Sequence, residues 1–116
     1  METEKAKVIV TLGYPAIEPI LPELIKWMQD FNWPVTKVLQ PFLASIGAPL
    51  APHIREVLKS HDDIWKFWVI SCIVSESKEL AGLLKPELRR LASSPTVGEH
   101  DEEIDVQAKE ILARLQ

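Results

Sequence analysis

The sequence has few of the residues that build disulfides, phosphate-binding loops and membrane spans. Its single cysteine, Cys72, cannot form a disulfide within the chain. The four glycines are isolated from one another, which excludes a glycine-rich phosphate loop. The longest nearly apolar run, residues 64–74, is interrupted by Lys66 and is too short to cross a bilayer. The first residues are charged and lack the layout of a signal peptide, so we expect a cytoplasmic protein.

The sequence also lacks an excess of basic charge. Its 13 basic and 17 acidic side chains leave a net charge of −4, which argues against a surface dedicated to phosphate groups. Apolar residues make up 47% of the chain, which is typical of a protein with a packed core rather than a disordered segment. A chain of 116 residues is the usual size of one domain, so we predict a single domain over residues 1–116.

Proline is plentiful, and some of its positions are regular. Pro22, Pro52 and Pro86 open the same local pattern at intervals of 30 and 34 residues. This is the period of helical-pair repeats, and proline suits the first turn of a helix because the N–H that it lacks would be unpaired there. Apolar residues follow each proline at helical spacing and align in register between the three segments. They are Leu24, Trp27 and Met28, then Ile54, Val57 and Leu58, then Leu88, Leu91 and Ala92.

A second pattern repeats between these proline-led helices. Asp30 stands three residues before Trp33, and Asp62 stands three residues before Trp65, 32 residues further along the chain. An aspartate at such a position can cap a new helix, because its carboxylate accepts hydrogen bonds from the free N–H groups of the first turn. The pattern therefore predicts that a second helix follows each of the first two proline-led helices.

Local signals set the bounds of these second helices. We predict one helix over residues 34–46, kinked at Pro41 and ended by Gly47. The segment 63–74 is apolar nearly all round, so we predict a helix in the middle of the stack, covered on both sides, in preference to a buried strand.

The two ends of the chain are less regular. Residues 5–12 include Val-Ile-Val, which favours a strand, although a helix fits the rest of the segment. Residues 93–100 predict the longest loop. The last segment predicts an amphipathic capping helix with an apolar stripe, and with ion pairs Asp105–Lys109 and Glu110–Arg114 on its polar side. The stripe is Ile104, Ala108, Ile111, Leu112 and Leu115.

Three segments carry a resemblance to a known family. They are residues 22–24 (Pro-Glu-Leu), 27–35 (Trp-Met-Gln-Asp-Phe-Asn-Trp-Pro-Val) and 54–68 (Ile-Arg-Glu-Val-Leu-Lys-Ser-His-Asp-Asp-Ile-Trp-Lys-Phe-Trp). From Tyr14 to about Leu115, the chain resembles an uncharacterised bacterial family of short HEAT-like proteins, a domain of unknown function. Pro41 departs from the ordinary helix former expected there. The resemblance implies a fold and no settled activity, with an adaptor, regulatory or immunity-type role among the possibilities.

These observations predict an all-α fold. We expect a short right-handed superhelix of about three HEAT-like helix pairs with a C-terminal capping helix. Such a stack exposes a face of parallel helices that suits a partner protein, so we expect a non-catalytic protein-interaction module without a cofactor. The alternatives are a nucleic-acid-binding or DNA-repair-like HEAT protein, and a purely structural, oligomerising domain.

The tryptophan-bearing turns are the first candidates for a partner-binding surface. Their aromatic rings could act as binding hot spots beside acidic side chains. The competing interpretation, which we favour, is that the rings wedge between helices while the aspartates only cap. The candidate residues are Asp30, Asn32, Trp33, Asp62, Asp63 and Trp65.

Basic side chains on the polar face of the proline-led helices are the second candidates. Arg55, Lys59, Arg89 and Arg90 could contact a partner protein. The cluster of Lys85, Arg89 and Arg90 could contact nucleic acid or an acidic protein, although a solvated helix face is the simpler interpretation. The acidic residues 99–103 are expected to complement the start of the last helix.

Signals of catalysis or metal binding are weak. The spacings of His53, His61 and Cys72 fit no standard zinc pairing, so we expect no metal site. His61 beside Asp62 could act as a pH-sensitive base, but a solvated turn histidine is the simpler interpretation. The serines near the apolar segment lack the glycines of a nucleophile elbow, so we expect no enzyme.

Overall fold

The fold is all-α. The computed structural model describes residues 3–29 and 33–115, with the backbone alone at residues 33 and 34. No strand occurs in these ranges. The helices are α1 (Thr3–Leu12), α2 (Leu21–Lys26), α3 (Trp33–Ile46), α4 (Ala51–Lys59), α5 (Asp63–Cys72), α6 (Lys78–Leu83), α7 (Lys85–Ser93), α8 (Val97–Asp101) and α9 (Ile104–Arg114). Single 3-10 turns span Glu18–Ile20, Ala48–Leu50 and Val74–Glu76.

Helix α1 resolves the ambiguity of the N-terminal segment in favour of helix. Ala6 and Ile9 are buried, three residues apart on one face, and this face packs against α3. Val8, which belongs to the β-favouring run, is 57% exposed and contributes little to the packing. Gly13 ends the helix with a φ of +70°, a conformation that suits a residue without Cβ, and its N–H donates to the carbonyl of Ile9.

Each of the three repeated prolines begins a helix. Pro22, Pro52 and Pro86 all lie in the first turn of α2, α4 and α7. The aligned apolar residues face the core, and most of them are almost completely buried. One difference is that α2 ends at Lys26, so Trp27 and Met28 pack from the turn that follows it.

Helix α3 matches the predicted second helix. It includes Pro41, whose ring lies on the exposed side. Gly47 follows the helix with a φ of +72°, as expected for a helix stop. A Cβ at this position would also lie 2.6 Å from Oε1 of Glu79, so glycine is needed here for close packing as well as for its backbone conformation.

Helix α5 begins where the aspartate cap predicted it. Asp62 Oδ1 accepts a hydrogen bond from the backbone N–H of Trp65 at 3.0 Å. The helix packs against α4 and α9, which places it between two neighbours. It is not covered all round, because Ile64 is 55% exposed, while Lys66, the charge in the apolar run, is buried.

The loop predicted over residues 93–100 is wrong in its second half. Helix α8 begins at Val97 because Thr96 and Glu99 form a capping box: the hydroxyl accepts from the N–H of Glu99, and the carboxylate accepts from the N–H of Thr96. The serine, proline and glycine of this segment obscure that signal in the sequence.

Helix α9 carries the predicted apolar stripe. Ile104, Ala108 and Ile111 are buried, and the later stripe residues pack at the edge of the core. The predicted pair between Asp105 and Lys109 is wrong, because Asp105 is buried and its carboxylate lies 2.9 Å from Nδ1 of His100.

We group six helices by their place in the sequence pattern. The proline-led helices α2, α4 and α7 are called the first-helix layer; α2 packs against α4, and Arg55 of α4 is bonded to Glu87 of α7. Helices α3, α5 and α9 are called the second-helix layer; α5 packs against α9, and α3 contacts the 3-10 turn after α5. Among the described residues, six hydrogen bonds that involve a side chain join residues 28 to 40 positions apart. These separations lie around the intervals of 30 and 34 residues between the three prolines.

No helix in the described ranges is both long enough and apolar enough to cross a membrane.

Candidate functional site

Part of the predicted tryptophan surface lies outside the described residues. Asp30 and Asn32 fall there, and so does the side chain of Trp33. The structure therefore bears only on the second of the two repeated turns.

Trp65 links α5 to α2. Its ring is partly buried against the core, and its Nε1 donates a hydrogen bond to the carbonyl of Ile25 at 3.0 Å. A buried indole usually finds such a partner for its N–H group. This geometry matches the interpretation of Trp65 as a wedge between helices.

The aspartates of this turn have partners within the fold. Asp62 Oδ2 accepts from Nε2 of Gln29 at 2.8 Å, and this bond, with the one from the Trp65 N–H, lowers the pKa of Asp62. Asp63 Oδ1 lies 3.0 Å from Nζ of Lys66. Both carboxylates therefore stabilise the turn and join it to its neighbours.

The predicted basic face is also largely paired. Arg55 bonds Glu87 at 2.9 Å and the carbonyl of Leu83 at 3.1 Å. Lys59 lies 3.8 Å from Glu56 in an exposed pair. Arg89 is exposed and has no ion pair with any described residue. The structure therefore does not gather these side chains into one unoccupied charged surface.

Arg90 belongs to a buried ionic cluster that was not predicted from the sequence. Glu99, 0% exposed, accepts two hydrogen bonds from the Arg90 guanidinium, at 2.8 and 3.0 Å. It also accepts one from Nζ of Lys66 at 2.9 Å, and Lys66 in turn pairs with Asp63. The cluster fastens α5 to α7 and α8. The Thr-x-x-Glu spacing was its only signal in the sequence.

The pKa of Glu99 reflects this environment. Burial alone would raise the pKa, but hydrogen bonds from Arg90, from the Thr96 backbone and from Lys66 outweigh burial and hold the pKa at about 2, below its usual 4.5. Glu99 is therefore ionised at neutral pH. Arg90, Lys66 and the N–H of Thr96 together use the acceptor oxygens of the Glu99 carboxylate. Glu99 therefore has a structural role.

Three adjoining cavities lie along the second-helix layer. The first lies between the turn after α5 and the end of α9, with a volume of about 190 Å³. Its floor is apolar, and charged side chains stand at its rim. The apolar residues are Val74, Ala81, Ile111 and Leu115, and the charged residues are Glu76, Lys78 and Arg114.

The second cavity continues the first along α9. It shares Ser75, Ile111 and Arg114 with the first cavity, and has a volume of about 250 Å³. Its other lining residues are polar. Ser71 Oγ and Gln107 Oε1 are buried and have no hydrogen-bond partner in the described part of the chain. A buried polar atom without a partner costs about 1–3 kcal/mol, so such atoms call for an explanation.

The third cavity extends the depression towards α3. It is lined by Gln40, Pro41, Ala44 and Ser45, and it adjoins the first cavity at Glu76. We call these three cavities together the second-layer groove. None of its lining residues was a candidate on the basis of the sequence, because polar residues on helix faces look like an ordinary solvated surface.

The comparison with protein families assigns the chain to one of them. The family model that matches residues 2–112 is described as a domain of unknown function, DUF5071. The chain belongs to the DUF5071 family. No curated protein matches the chain.

The DUF5071 domain offers few groups for chemistry. Burial raises the pKa of the Cys72 thiol, and the charge of Glu76 raises it further, so the thiol stays protonated at neutral pH. Across the described ranges, no three His, Cys, Asp or Glu side chains are grouped so as to hold a metal ion. A further cavity, of about 450 Å³, is lined by acidic and turn residues that include the predicted candidates Asp62 and Asp63. The second-layer groove differs from it in having an apolar floor beside buried polar atoms without partners.

Proposed function

We propose that this DUF5071 domain is a non-catalytic protein-interaction module, built as a short right-handed HEAT-like superhelix. About three helix pairs form the stack, with α9 as its C-terminal cap. Hydrogen bonds at the spacing of the repeat, such as Gln29 to Asp62 and Arg55 to Glu87, support this organisation. Such a stack produces two adjacent layers of helices with a depression along one of them.

One feature of the second-layer groove carries the proposal. The groove contains Glu110 and Arg114, which have no ion pair with any described residue, and it brings them together with two buried polar atoms without partners. Unused hydrogen-bonding capacity in a concave surface is typical of a binding site.

The charge of the chain favours a protein as the partner. A net charge of −4 would repel a nucleic-acid backbone, and the groove balances Glu76 and Glu110 against Lys78 and Arg114, so it offers no excess of positive charge to phosphates. The single cysteine is buried and free, which suits a reducing compartment, so we place the module in the cytoplasm.

Site-specific photocrosslinking in the native host tests this function. A photoreactive residue at Ala44 or Ser75 in the groove should capture a defined partner protein, whereas one at Glu56, in the exposed pair with Lys59, should not. The captured protein, prepared in pure form, should bind the domain in solution. The substitution Ala44→Arg should weaken this binding at least ten-fold, and Glu56→Arg should leave it unchanged.

Other crosslinking results would contradict the proposal. Crosslinks from the groove to nucleic acid would favour the DNA-repair-like alternative. Crosslinks only between copies of the domain would favour an oligomerising role. A partner captured equally from Glu56 and from the groove would mean that the second-layer groove is not the binding surface.

A further inference from the structure

We infer that the α5–α9 part of the second-layer groove binds the C-terminal end of an extended peptide whose last residue is apolar and has a free carboxylate. The inference rests on the proposed function and specifies the chemistry of its partner. This part of the groove consists of the first and second cavities, which share Ser75, Ile111 and Arg114.

The first cavity has the composition that an apolar C-terminal residue requires. Its floor of Val74, Ala81 and Leu115 can take an aliphatic side chain, and its volume of about 190 Å³ fits one residue rather than a drug-sized ligand. Two cations, Lys78 and Arg114, stand at the rim. Neither has an ion pair with a described residue, so both are available to a carboxylate.

Arg114 is the better placed of the two cations because it lines both cavities. A guanidinium can donate two parallel hydrogen bonds to one carboxylate, which fixes the orientation of the bound group. Its lack of an ion pair with any described residue contrasts with Arg55 and Arg90, which are both bonded to glutamates.

The second cavity supplies partners for the backbone of the preceding residues. Gln107 Oε1 can accept a hydrogen bond from a peptide N–H, and Ser71 Oγ can donate to a peptide carbonyl or accept from an N–H. Both atoms are already desolvated in the free domain, so a bound backbone that reaches them through a shift of the lining side chains would satisfy them without a further cost of desolvation. Glu110 offers another acceptor beside them.

The spacing along α9 matches an extended chain. Gln107 and Arg114 lie seven positions apart, which corresponds to about 10 Å along a helix. An extended peptide advances about 3.3–3.6 Å per residue, so a carboxylate on Arg114 places the backbone about three residues upstream beside Gln107. A peptide of this length would occupy both cavities.

The charges of the groove favour a single carboxylate over a polyanion. A carboxylate in the first cavity meets two cations, Lys78 and Arg114, and one acidic side chain, Glu76, whereas a chain of phosphates along both cavities would also meet Glu110. A neutral backbone with one terminal charge avoids that repulsion.

A library of synthetic hexapeptides tests the inference directly. Each peptide is prepared with a free C-terminal carboxylate and as its amide, and binding to the purified domain is measured by fluorescence anisotropy. Peptides that end in an apolar residue should bind, and amidation should weaken them about ten-fold or more, as expected for the loss of a charge-assisted hydrogen bond. Arg114→Gln should weaken the free-carboxylate peptides to a similar extent and leave the amides unchanged.

The matched control is Arg89→Gln, because Arg89 is exposed on the first-helix layer and also has no ion pair with a described residue. This variant should bind like the wild type. Circular dichroism of both variants should show unchanged helix content, which separates a binding defect from unfolding.

Two results would overturn the inference. One is that amides bind as tightly as free carboxylates, and the other is that no free-carboxylate peptide binds at millimolar concentration. If the photoreactive residue at position 44 still captures a partner protein, the groove binds a protein, and only the inference of a C-terminal carboxylate is wrong. If Ala44 and Ser75 also capture nothing, the proposed function fails with it.

Discussion

Lys66 Nζ lies 2.9 Å from Glu99 Oε2, and the two side chains are only 4% and 1% exposed although 33 positions separate them along the chain. A lysine in an apolar helix and a glutamate in a helix cap therefore meet in the interior, and the Arg90 guanidinium, whose side chain is 44% exposed, pairs with the same glutamate. Removal of one partner from such a buried cluster leaves uncompensated charge, which is more costly than loss of an exposed pair.

Substitution of Glu99 should destabilise the domain strongly. Glu99→Gln leaves Lys66 and Arg90 without their shared anion, so we expect the free energy of unfolding to fall by about 3 kcal/mol or more at pH 7. Glu56→Gln is the control: its exposed pair with Lys59, at 3.8 Å, should contribute less than about 1 kcal/mol. Urea denaturation followed by circular dichroism measures both, and equal losses would contradict a structural role for the cluster.

The same cluster should give the domain a defined acid sensitivity. The pKa of Glu99 is about 2 in the folded protein and 4.5 as its ordinary value, so its stabilisation is complete above about pH 4.5 and is lost as the pH falls towards 2. The wild-type urea midpoint should therefore drop between pH 5 and pH 3. Glu99→Gln should show a smaller drop over this interval, and an identical drop would mean that other carboxylates dominate.

Two glycine substitutions should change the stability in opposite directions. A Cβ at Gly98 would collide with the Asp63 carboxylate, which Lys66 holds in place, so Gly98→Ala should cost about 1–3 kcal/mol. Gly82 lies in α6, and a Cβ added there would meet open space, so Gly82→Ala should stabilise by about 0.4–1 kcal/mol. Thermal denaturation of the two variants gives the comparison, and a stable Gly98→Ala variant would show that α8 can move away from α5.

Two serine-to-alanine substitutions separate a binding group from a structural one. Ser71→Ala removes a buried hydroxyl that has no partner among the described residues, so the stability should stay the same or rise by up to about 1 kcal/mol. Ser77→Ala removes the cap of α6, whose hydroxyl accepts from the N–H of Leu80 at 3.2 Å, and should cost about 1 kcal/mol. Differential scanning calorimetry measures both effects. A clear loss of stability for Ser71→Ala would mean that the hydroxyl has a partner in the free protein.

His100 should titrate above its ordinary range. Its hydrogen bond and charge interaction with Asp105 raise the pKa of His100 above 6.5, and the same bond lowers the pKa of Asp105. A raised pKa means that the pair stabilises the fold fully below about pH 6.5 and that this contribution is lost as the pH rises through the folded-state pKa. An NMR titration of the imidazole should return to the ordinary value in Asp105→Asn. An unchanged titration in that variant would rule out the pair as the cause.

Much of the helical architecture could be read from the sequence because its signals are local. Pro22, Pro52 and Pro86 set the starts of three helices, and the apolar stripe after each one depends only on helical periodicity. Gly47 and Asp62 mark a helix end and a helix start through backbone geometry and capping, which involve residues a few positions apart. Helix α8 was not predicted, because its short capping box lies among residues that are typical of loops.

Only the tertiary structure decided which polar side chains are used internally and which are left for a partner. Arg90 and Arg89 are neighbours in sequence and look alike, yet the first is bonded to a buried glutamate and the second is exposed without an ion pair to any described residue. Likewise, Ser71 and Gln107 become part of one groove only because α5 packs against α9. The physical reason is that helix formation depends on contacts over a few residues, whereas the pairing of charges and the shape of a groove depend on how separate helices pack against one another.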